Sequence, residues 1–139
     1  MSDPYSLVLQ PPGVDDYLRL RVVSGLSPKT VESATIGLPN SWFGVTVLFE
    51  NRAIGMGRVI GDGGNFFQVC DIAVEPEHQG KGLGKRIMSA LMAHLHAHAP
   101  KSAYVSLIAD GDAKHLYAKY GFSEVTPKSV GMALVIGKN

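Results

Sequence analysis

The chain of 139 residues contains a single cysteine, Cys70. One thiol cannot form an internal disulfide, and no Cys or His stands near it at the spacing of a zinc site. A disulfide framework and a zinc ribbon are therefore excluded. No thiolate-stabilising base stands beside Cys70 in the sequence, which favours a buried strand cysteine over an acylated nucleophile.

The sequence also lacks an excess of charge of one sign. Thirteen Lys and Arg residues face twelve Asp and Glu residues, a formal net charge of +1, which gives no general attraction to nucleic acid or to a membrane surface. No stretch approaches the ~18 apolar residues of a membrane helix, and the first residues do not resemble a secretory signal. We therefore expect a cytoplasmic protein without a nucleic-acid or membrane partner.

The composition is that of a compact protein, with 45% hydrophobic and 18% charged residues. A chain of this length forms one core of ordinary size. The sequence predicts a single domain over residues 1–139.

Two periodicities of apolar residues predict a mixed α/β (α+β) fold, a mostly antiparallel central sheet of about seven strands flanked by about four helices. Alternating or β-branched segments predict strands over residues 5–9, 42–50, 53–60, 66–74, 102–108, 122–125 and 130–136. Helical spacing and caps predict helices over residues 14–24, 27–35, 80–98 and 112–120. The second of these is expected to start at Ser27 as N-cap with Pro28 in the first turn.

The stretch from Gln79 to Lys85 is rich in glycine and opens the longest predicted helix. Backbone amides at a helix start have no partner within the helix, and small residues let a ligand touch the backbone, so this turn predicts a phosphate-binding site. Lys81 and Lys85 add positive charge. The spacing fits neither a Walker loop, because Gln79 stands where its first Gly should be, nor the dinucleotide fingerprint, because Lys85 stands where its third Gly should be.

The spacing does fit Gln-x-x-Gly-x-Gly, and here the sequence resembles the GCN5-related N-acetyltransferase (GNAT) family. A second segment, residues 113–122, is similar to the Ala-x-x-Leu-Tyr-x-x-x-Gly-Phe helix of that family. The resemblance implies a GNAT-like fold, acetyl-CoA as cosubstrate and N-acetyltransferase activity on a primary amine of a small molecule or peptide. It assigns the pyrophosphate to Gln79, Gly80, Lys81, Gly82, Leu83, Gly84 and Lys85, and the pantetheine arm to the backbone of Ile72, Ala73 and Val74.

The resemblance also implies catalytic roles. Tyr117 is the acid that protonates the departing CoA thiolate, and the backbone amide of Val74 stabilises the oxyanion. Asp110 stands seven residues before Tyr117, where family members often carry an Asn that contacts the cofactor; a carboxylate cannot donate that hydrogen bond unless it is protonated. An attacking amine must lose a proton, and Asp71, Glu75 and Asp62 remain alternative bases.

Several features leave alternatives open. A CoA-binding sensor or partner module without turnover would keep the same glycine-rich turn. His94 and His98 lie four residues apart on a helix, but no acidic ligand accompanies them, so we expect solvated side chains and no metal dependence. Arg19 and Arg21 are expected on a solvated helix face, with the lining of an acceptor pocket as the alternative. Gly55 and Gly57 fit either room for a ligand or a β-bulge.

The acceptor amine is not identified by the sequence. The resemblance places the acceptor cleft at the first two helices and the loop before the last strand, here about residues 24–35 and 126–131. A homodimer is suggested by the family alone.

Overall fold

A computed structural model describes residues 3–137 of the chain. These residues fall into two compact units, one ending at Leu107 and one beginning at Ile108.

The first unit contains a five-stranded sheet. Its strands are β1 (Tyr5–Val8), β2 (Phe43–Phe49), β3 (Arg52–Gly61), β4 (Phe66–Val74) and β5 (Tyr104–Ser106), and they lie in sequence order. Strands β1 to β4 pair antiparallel, with short turns joining β2, β3 and β4 and with residues 9–42 between β1 and β2, whereas β5 pairs parallel to β4. A parallel pair needs a crossover connection, and α3 (Leu83–His98) supplies it.

Helices cover the two faces of this sheet. Helices α1 (Val14–Val23) and α2 (Val31–Gly37) pack on the face that carries Met56. Side chains alternate along a strand, so the neighbouring Gly57 faces the other way, toward α3. A Cβ atom at Gly57 would lie 2.5 Å from Cγ2 of Ile87. Gly57 therefore permits the close approach of α3 to β3.

Helix α2 begins later than predicted. Its N-cap is Thr30, whose hydroxyl accepts a hydrogen bond from the Ser33 amide at 3.0 Å. The predicted cap, Ser27, instead accepts two hydrogen bonds from the guanidinium of Arg21, at 2.6 Å to its carbonyl and 3.0 Å to its hydroxyl. The prediction of a helix starting at Ser27 is wrong because the side chain of Arg21, six residues earlier, occupies that residue.

The second unit carries one short helix, α4 (Lys114–Ala118), preceded by a 3-10 turn at Gly111–Ala113. The strands predicted over residues 122–125 and 130–136 are absent from the described part of this unit. Alternation of apolar residues is not sufficient for a strand, since a ladder also needs a partner edge. The mixed α/β prediction is confirmed, with a sheet of five strands instead of about seven.

Between residues 3 and 137 we find no helix that is both long enough and apolar enough to cross a membrane. The cytoplasmic location and the single-domain organisation stay predictions.

Candidate functional site

The second half of β4 has an edge that β5 does not cover. Pairing between the two strands runs from Phe66 opposite Tyr104 to Gln68 opposite Ser106, and extends no further among the described residues. On the other edge, the Glu75 amide donates to the Ile54 carbonyl of β3 at 2.8 Å. Backbone N–H groups alternate between the two edges of a strand. The N–H group of Val74 therefore points to the uncovered edge. The predicted oxyanion donor therefore lies along an open strand edge.

The chain between β4 and α3 is fixed at its base. His78 is buried, and its Nδ1 lies 2.7 Å from the hydroxyl of Tyr5. The side-chain amide of Gln79 donates to the Val74 carbonyl at 2.9 Å. Glu75 is also buried and pairs with Arg19 and, at 2.8 Å, with Arg52. These contacts hold the start of the glycine-rich turn against the sheet.

The turn itself leaves a row of backbone amides unused. Gly80 and Gly82 have φ values of 79° and 78°, the left-handed region that favours glycine, and Gly82 is the N-cap of α3. The first backbone bond of that helix runs from the Arg86 amide to the Gly82 carbonyl, at 3.1 Å. Within residues 3–137, no protein acceptor is bound by the amides of Gly80, Lys81, Gly82, Leu83 and Gly84.

The surroundings of this turn fit a diphosphate. A Cβ atom added at Gly80, Gly82 or Gly84 would meet nothing within 4 Å, so the space beside the backbone is open. Unpaired amides at the start of a helix also lie at the positive end of its dipole. The sixteen residues of α3 therefore direct both donors and partial positive charge at the predicted phosphate site.

A β-bulge places Asp71 on the α1 side of the sheet. Two residues of β4, Asp71 and Ile72, stand opposite Gly57, and Asp71 has a φ of 60°. From the sequence, Gly57 is compatible with room for a ligand or with a β-bulge. The structure shows the bulge, together with close packing of α3.

The carboxylate of Asp71 accepts four hydrogen bonds. Three come from Tyr17 Oη at 2.8 Å, Arg21 Nη1 at 2.5 Å and Arg58 Nε at 2.8 Å. The fourth comes from the thiol of Cys70, whose Sγ lies 3.9 Å away. Both carboxylate oxygens are therefore engaged, and two of these contacts are nearly buried ion pairs. This arrangement supports a positioning role for Asp71 more than the predicted role as base.

The other candidate bases are engaged too. The two oxygens of Glu75 are bound by arginines, as described above. Asp62 accepts backbone hydrogen bonds from Gly64, Phe66 and Asn65, and these hold the pKa of its carboxyl below the ordinary value. Its contacts cap the turn between β3 and β4.

Burial and, secondarily, the charge of Asp71 raise the pKa of Cys70 to about 12. The thiol therefore stays protonated at neutral pH, which supports an inert strand cysteine over an acylated nucleophile.

A cleft of about 210 Å³ opens between α1, α2 and β3. Its polar lining consists of Tyr17, Lys29, Ser33 and Arg58, and small or apolar residues of α2 and the following turn complete it. The cleft overlaps the acceptor region predicted at residues 24–35. Tyr17 and Arg58 were not predicted here, although Arg58 and Asp71 are isolated charges in apolar strands, a pattern that signals a buried pair.

The two predictions of solvated side chains are wrong in part. Arg21 is buried against Asp71 instead of lining a solvated face. The ring of His94 stacks on Phe43 with centroids 3.8 Å apart, and burial, followed by the nearby His98, lowers the pKa of His94. No group of three or more potential metal ligands occurs in the part of the chain that the structure describes.

The second unit carries Tyr117 on α4, half-buried. Burial raises the pKa of Tyr117, and the charge of Asp110 raises it further. The phenol therefore holds its proton at neutral pH, as a proton donor must. Asp110 itself is exposed, and its carbonyl accepts from the Ala113 amide at 3.1 Å.

Comparison with known proteins indicates the same family as the two sequence motifs. A family model described as the acetyltransferase (GNAT) domain matches residues 33–134. A solved structure of a protein of unknown function from meticillin-resistant Staphylococcus aureus, described as a probable acetyltransferase, is 46% identical to this chain. Its TM-score is 0.90, and the match covers 94% of this chain and 98% of that one.

Two curated relatives are more distant. The uncharacterised N-acetyltransferase ycf52 of Porphyra purpurea is 28% identical over 102 residues, 70% of this chain and 58% of the relative. The chloroplastic GCN5-related N-acetyltransferase 2 of Arabidopsis thaliana is 33% identical over 81 residues, 58% of this chain and 30% of the relative. The matches thus span 58% and 30% of these relatives' lengths. By its family-model match and its fold, the chain belongs to the GNAT acetyltransferase family, within the GCN5-related N-acetyltransferase superfamily.

Proposed function

We propose that the protein transfers an acetyl group from acetyl-CoA to a primary amine of a small molecule or peptide by direct attack of the amine. The observation that carries the proposal is the row of unpartnered amides from Gly80 to Gly84 at the start of α3. Family membership supplies the reaction class, and this row supplies a site for the diphosphate of coenzyme A.

When bound, acetyl-CoA supplies an acetyl group activated as a thioester. The amides of residues 80–84 bind its diphosphate, and Lys81 and Lys85 add positive charge nearby. The segment Ile72, Ala73 and Val74 lies beside the pantetheine arm, and the backbone groups that alternate to the uncovered edge of β4, such as those of Val74, are the ones offered to it, since Ala73 pairs with Met56 of β3. The Val74 N–H then donates to the acetyl oxygen as that oxygen becomes negative.

Three proton transfers accompany the reaction. Tyr117 donates a proton to the departing thiolate, and its raised pKa keeps that proton available at neutral pH. The nitrogen gives up a proton as the amide forms, which restores the Tyr117 phenol. Before that, the acceptor ammonium must lose a proton to become the amine that attacks. Asp71, Glu75 and Asp62 already accept hydrogen bonds from the protein, which favours removal of this proton through water over direct transfer to any of them.

The test combines ligand binding with thiol release. Acetyl-CoA and CoA should raise the melting temperature in proportion to their concentration over the dissociation constant, and ATP at equal concentration should raise it much less. Free thiol should then appear when a primary amine is added.

Two other outcomes of these measurements would indicate a different function. Cofactor binding without thiol release across amine classes would identify a CoA-binding sensor or partner module. Equal protection by ATP would indicate a general phosphate site and contradict the proposal.

A further inference from the structure

We propose that the cleft between α1, α2 and β3 binds a carboxylate or phosphate of the acceptor. The acceptor would then be an amine that also carries an anionic group. This inference rests on the proposed acetyl transfer and narrows its substrate class.

The charges around the cleft favour an anion. Lys29 and Arg58 are the charged side chains of its lining, and none of the lining residues between positions 3 and 137 is acidic. Beneath the lining, Asp71 is shared between Arg21 and Arg58. Two arginines share this carboxylate and Lys29 adds a third positive charge to the lining, so the four side chains carry a formal charge of +2. The positive charge is concentrated locally, since the whole chain carries only +1.

The donors left over at the cleft belong to these cations. Arg58 uses Nε for Asp71 and Nη1 for the hydroxyl of Ser41, at 2.8 and 2.9 Å. Its Nη2 has no partner among the residues that the structure describes, and the same is true of the Lys29 ammonium group. The Tyr17 hydroxyl donates to Asp71. An anion is the ligand group that would satisfy both open donors with charge-assisted hydrogen bonds.

The environment of Arg58 strengthens such a contact. Its side chain is only 11% exposed, so an anion that reaches it is partly removed from water. Electrostatic attraction is larger where water is partly excluded. A second positive charge on the acceptor, as in a polyamine, would be repelled by Arg58 and Lys29 for the same reason.

The size and place of the cleft fit a head group. Its volume of about 210 Å³ is below the ~300–1,000 Å³ of pockets that enclose whole ligands. Arg58 contacts Asp71 in β4, and Val74 lies three residues further along that strand, roughly 10 Å at 3.3 Å per residue. A small acceptor can therefore place its anion in the cleft and its amine beside the strand that carries the proposed oxyanion donor.

The experiment compares four amines on one short scaffold in the thiol-release assay: 2-aminoethyl phosphate, 3-aminopropanoate, ethanolamine and 1,2-diaminoethane. We expect kcat/KM for one or both anionic amines to exceed that for ethanolamine by about tenfold or more, the usual value of a hydrogen bond to a charged group. The first two compounds distinguish a phosphate from a carboxylate. Ethanolamine or diaminoethane performing as well as both anionic amines would overturn the inference.

Two charge-reversal variants test whether the preference for anionic amines arises at the cleft. Lys29→Glu should raise KM for the preferred anionic amine by about tenfold and leave KM for ethanolamine and the affinity for acetyl-CoA nearly unchanged. Lys101→Glu is the matched control, because Lys101 is exposed, lies between α3 and β5, and is not part of the cleft lining. An equal response of both variants, or none with Lys29→Glu, would contradict the assignment.

Binding without turnover separates this inference from the proposed function. Amide spectra of the acetyl-CoA complex titrated with 2-aminoethyl phosphate, 3-aminopropanoate or ethanolamine should show shifts at Ser33 and Ala34 for an anionic amine only. Such shifts without thiol release would contradict acetyl transfer and keep the anion site. Thiol release from ethanolamine with no anion-dependent shift would keep the transferase and remove the site.

Discussion

The segment from β4 to α3 and the pair α1–α2 contact the same sheet in different ways. Helix α3 presents an apolar face, with Ile87, Met88 and Leu91 fully buried, and leaves the amides at its start unused. The α1–α2 pair combines an apolar cluster with buried polar contacts that span fifty or more residues, such as Arg21 to Asp71. One site arises from donors that the local chain leaves unpaired, and the other from charges that distant segments bring together.

This difference indicates whether a substitution in each region should first reduce ligand binding or stability. The phosphate site depends on backbone conformation at a few glycines, so a small local change should abolish binding and leave the fold intact. The cleft depends on a polar cluster that also docks α1, so a change there should first reduce stability. The following variants test this contrast.

The largest expected effect is loss of the Asp71 carboxylate. Asp71→Ala leaves Arg21 and Arg58 nearly buried without their shared anion, and should lower the free energy of unfolding by about 3–5 kcal/mol. Urea unfolding monitored by circular dichroism measures the change. Asp16→Ala is the control: it removes an exposed ion pair to Arg19 and should cost at most about 1 kcal/mol. Equal losses in the two variants would refute the structural importance of the buried cluster.

The next effect concerns the glycine-rich turn. Gly82→Val puts a β-branched residue at a φ of 78°, which such residues rarely adopt, and so should redirect the amides of the turn. Affinity for acetyl-CoA should fall by about a hundredfold, the value of one or two charge-assisted hydrogen bonds. Calorimetric titration measures it.

Gly25→Val supplies the matched strain control. Gly25 has a φ of 90° and open space beside it, but lies outside the turn. This variant should lose stability and keep its affinity for acetyl-CoA. Unchanged affinity in a folded Gly82→Val protein would exclude the turn as the diphosphate site.

Tyr117→Phe probes a residue outside both regions. Without the phenolic proton, turnover should fall by about a hundredfold, the lower range for a general acid, and the affinity for acetyl-CoA should stay close to normal. Steady-state thiol release and calorimetry measure the two quantities. Tyr120→Phe on the same stretch of chain should keep its turnover. Full activity of Tyr117→Phe would remove Tyr117 as the acid.

The smallest expected effect is on the pH dependence of stability, through His94 on the α3 side of the sheet. Because the folded state lowers the pKa of His94 below its ordinary 6.5, the unfolded chain binds this proton more readily. The contribution of His94 to stability is complete above pH 6.5 and declines as the pH falls through the lowered folded-state pKa.

His94→Phe keeps a ring against Phe43 and removes the titration. The loss of melting temperature between neutral and mildly acidic pH should therefore be smaller in this variant than in the wild type. The exposed His96 provides the control, since His96→Phe should keep the wild-type slope. A His94→Phe protein with an unchanged slope would contradict the prediction.

The regions also differ in how far the sequence predicts them. The meander β2–β4 and helix α3 follow from local periodicity, and the phosphate turn follows from its glycines, because each signal lies within a few residues. The start of α2 could not be predicted from Ser27 and Pro28, since Arg21 occupies Ser27. The partners of Asp71 come from more distant segments, α1 and β3, and no local pattern specifies them.

The last predicted strands failed for a related reason. Val130, Met132, Leu134 and Ile136 alternate as strand residues do, but in the described residues the sheet ends at β5. A strand is defined by its neighbour, which a single segment does not contain.

The most direct test of the account is an amide NMR spectrum of the protein with and without acetyl-CoA. The largest shifts are predicted at the backbone amides of residues 80–84, with resonances of Gly80, Gly82 and Gly84 moving toward the positions of strongly hydrogen-bonded N–H groups. Saturating acetyl-CoA that leaves these glycine amides unmoved, or shifts only amides elsewhere in the chain, would contradict it.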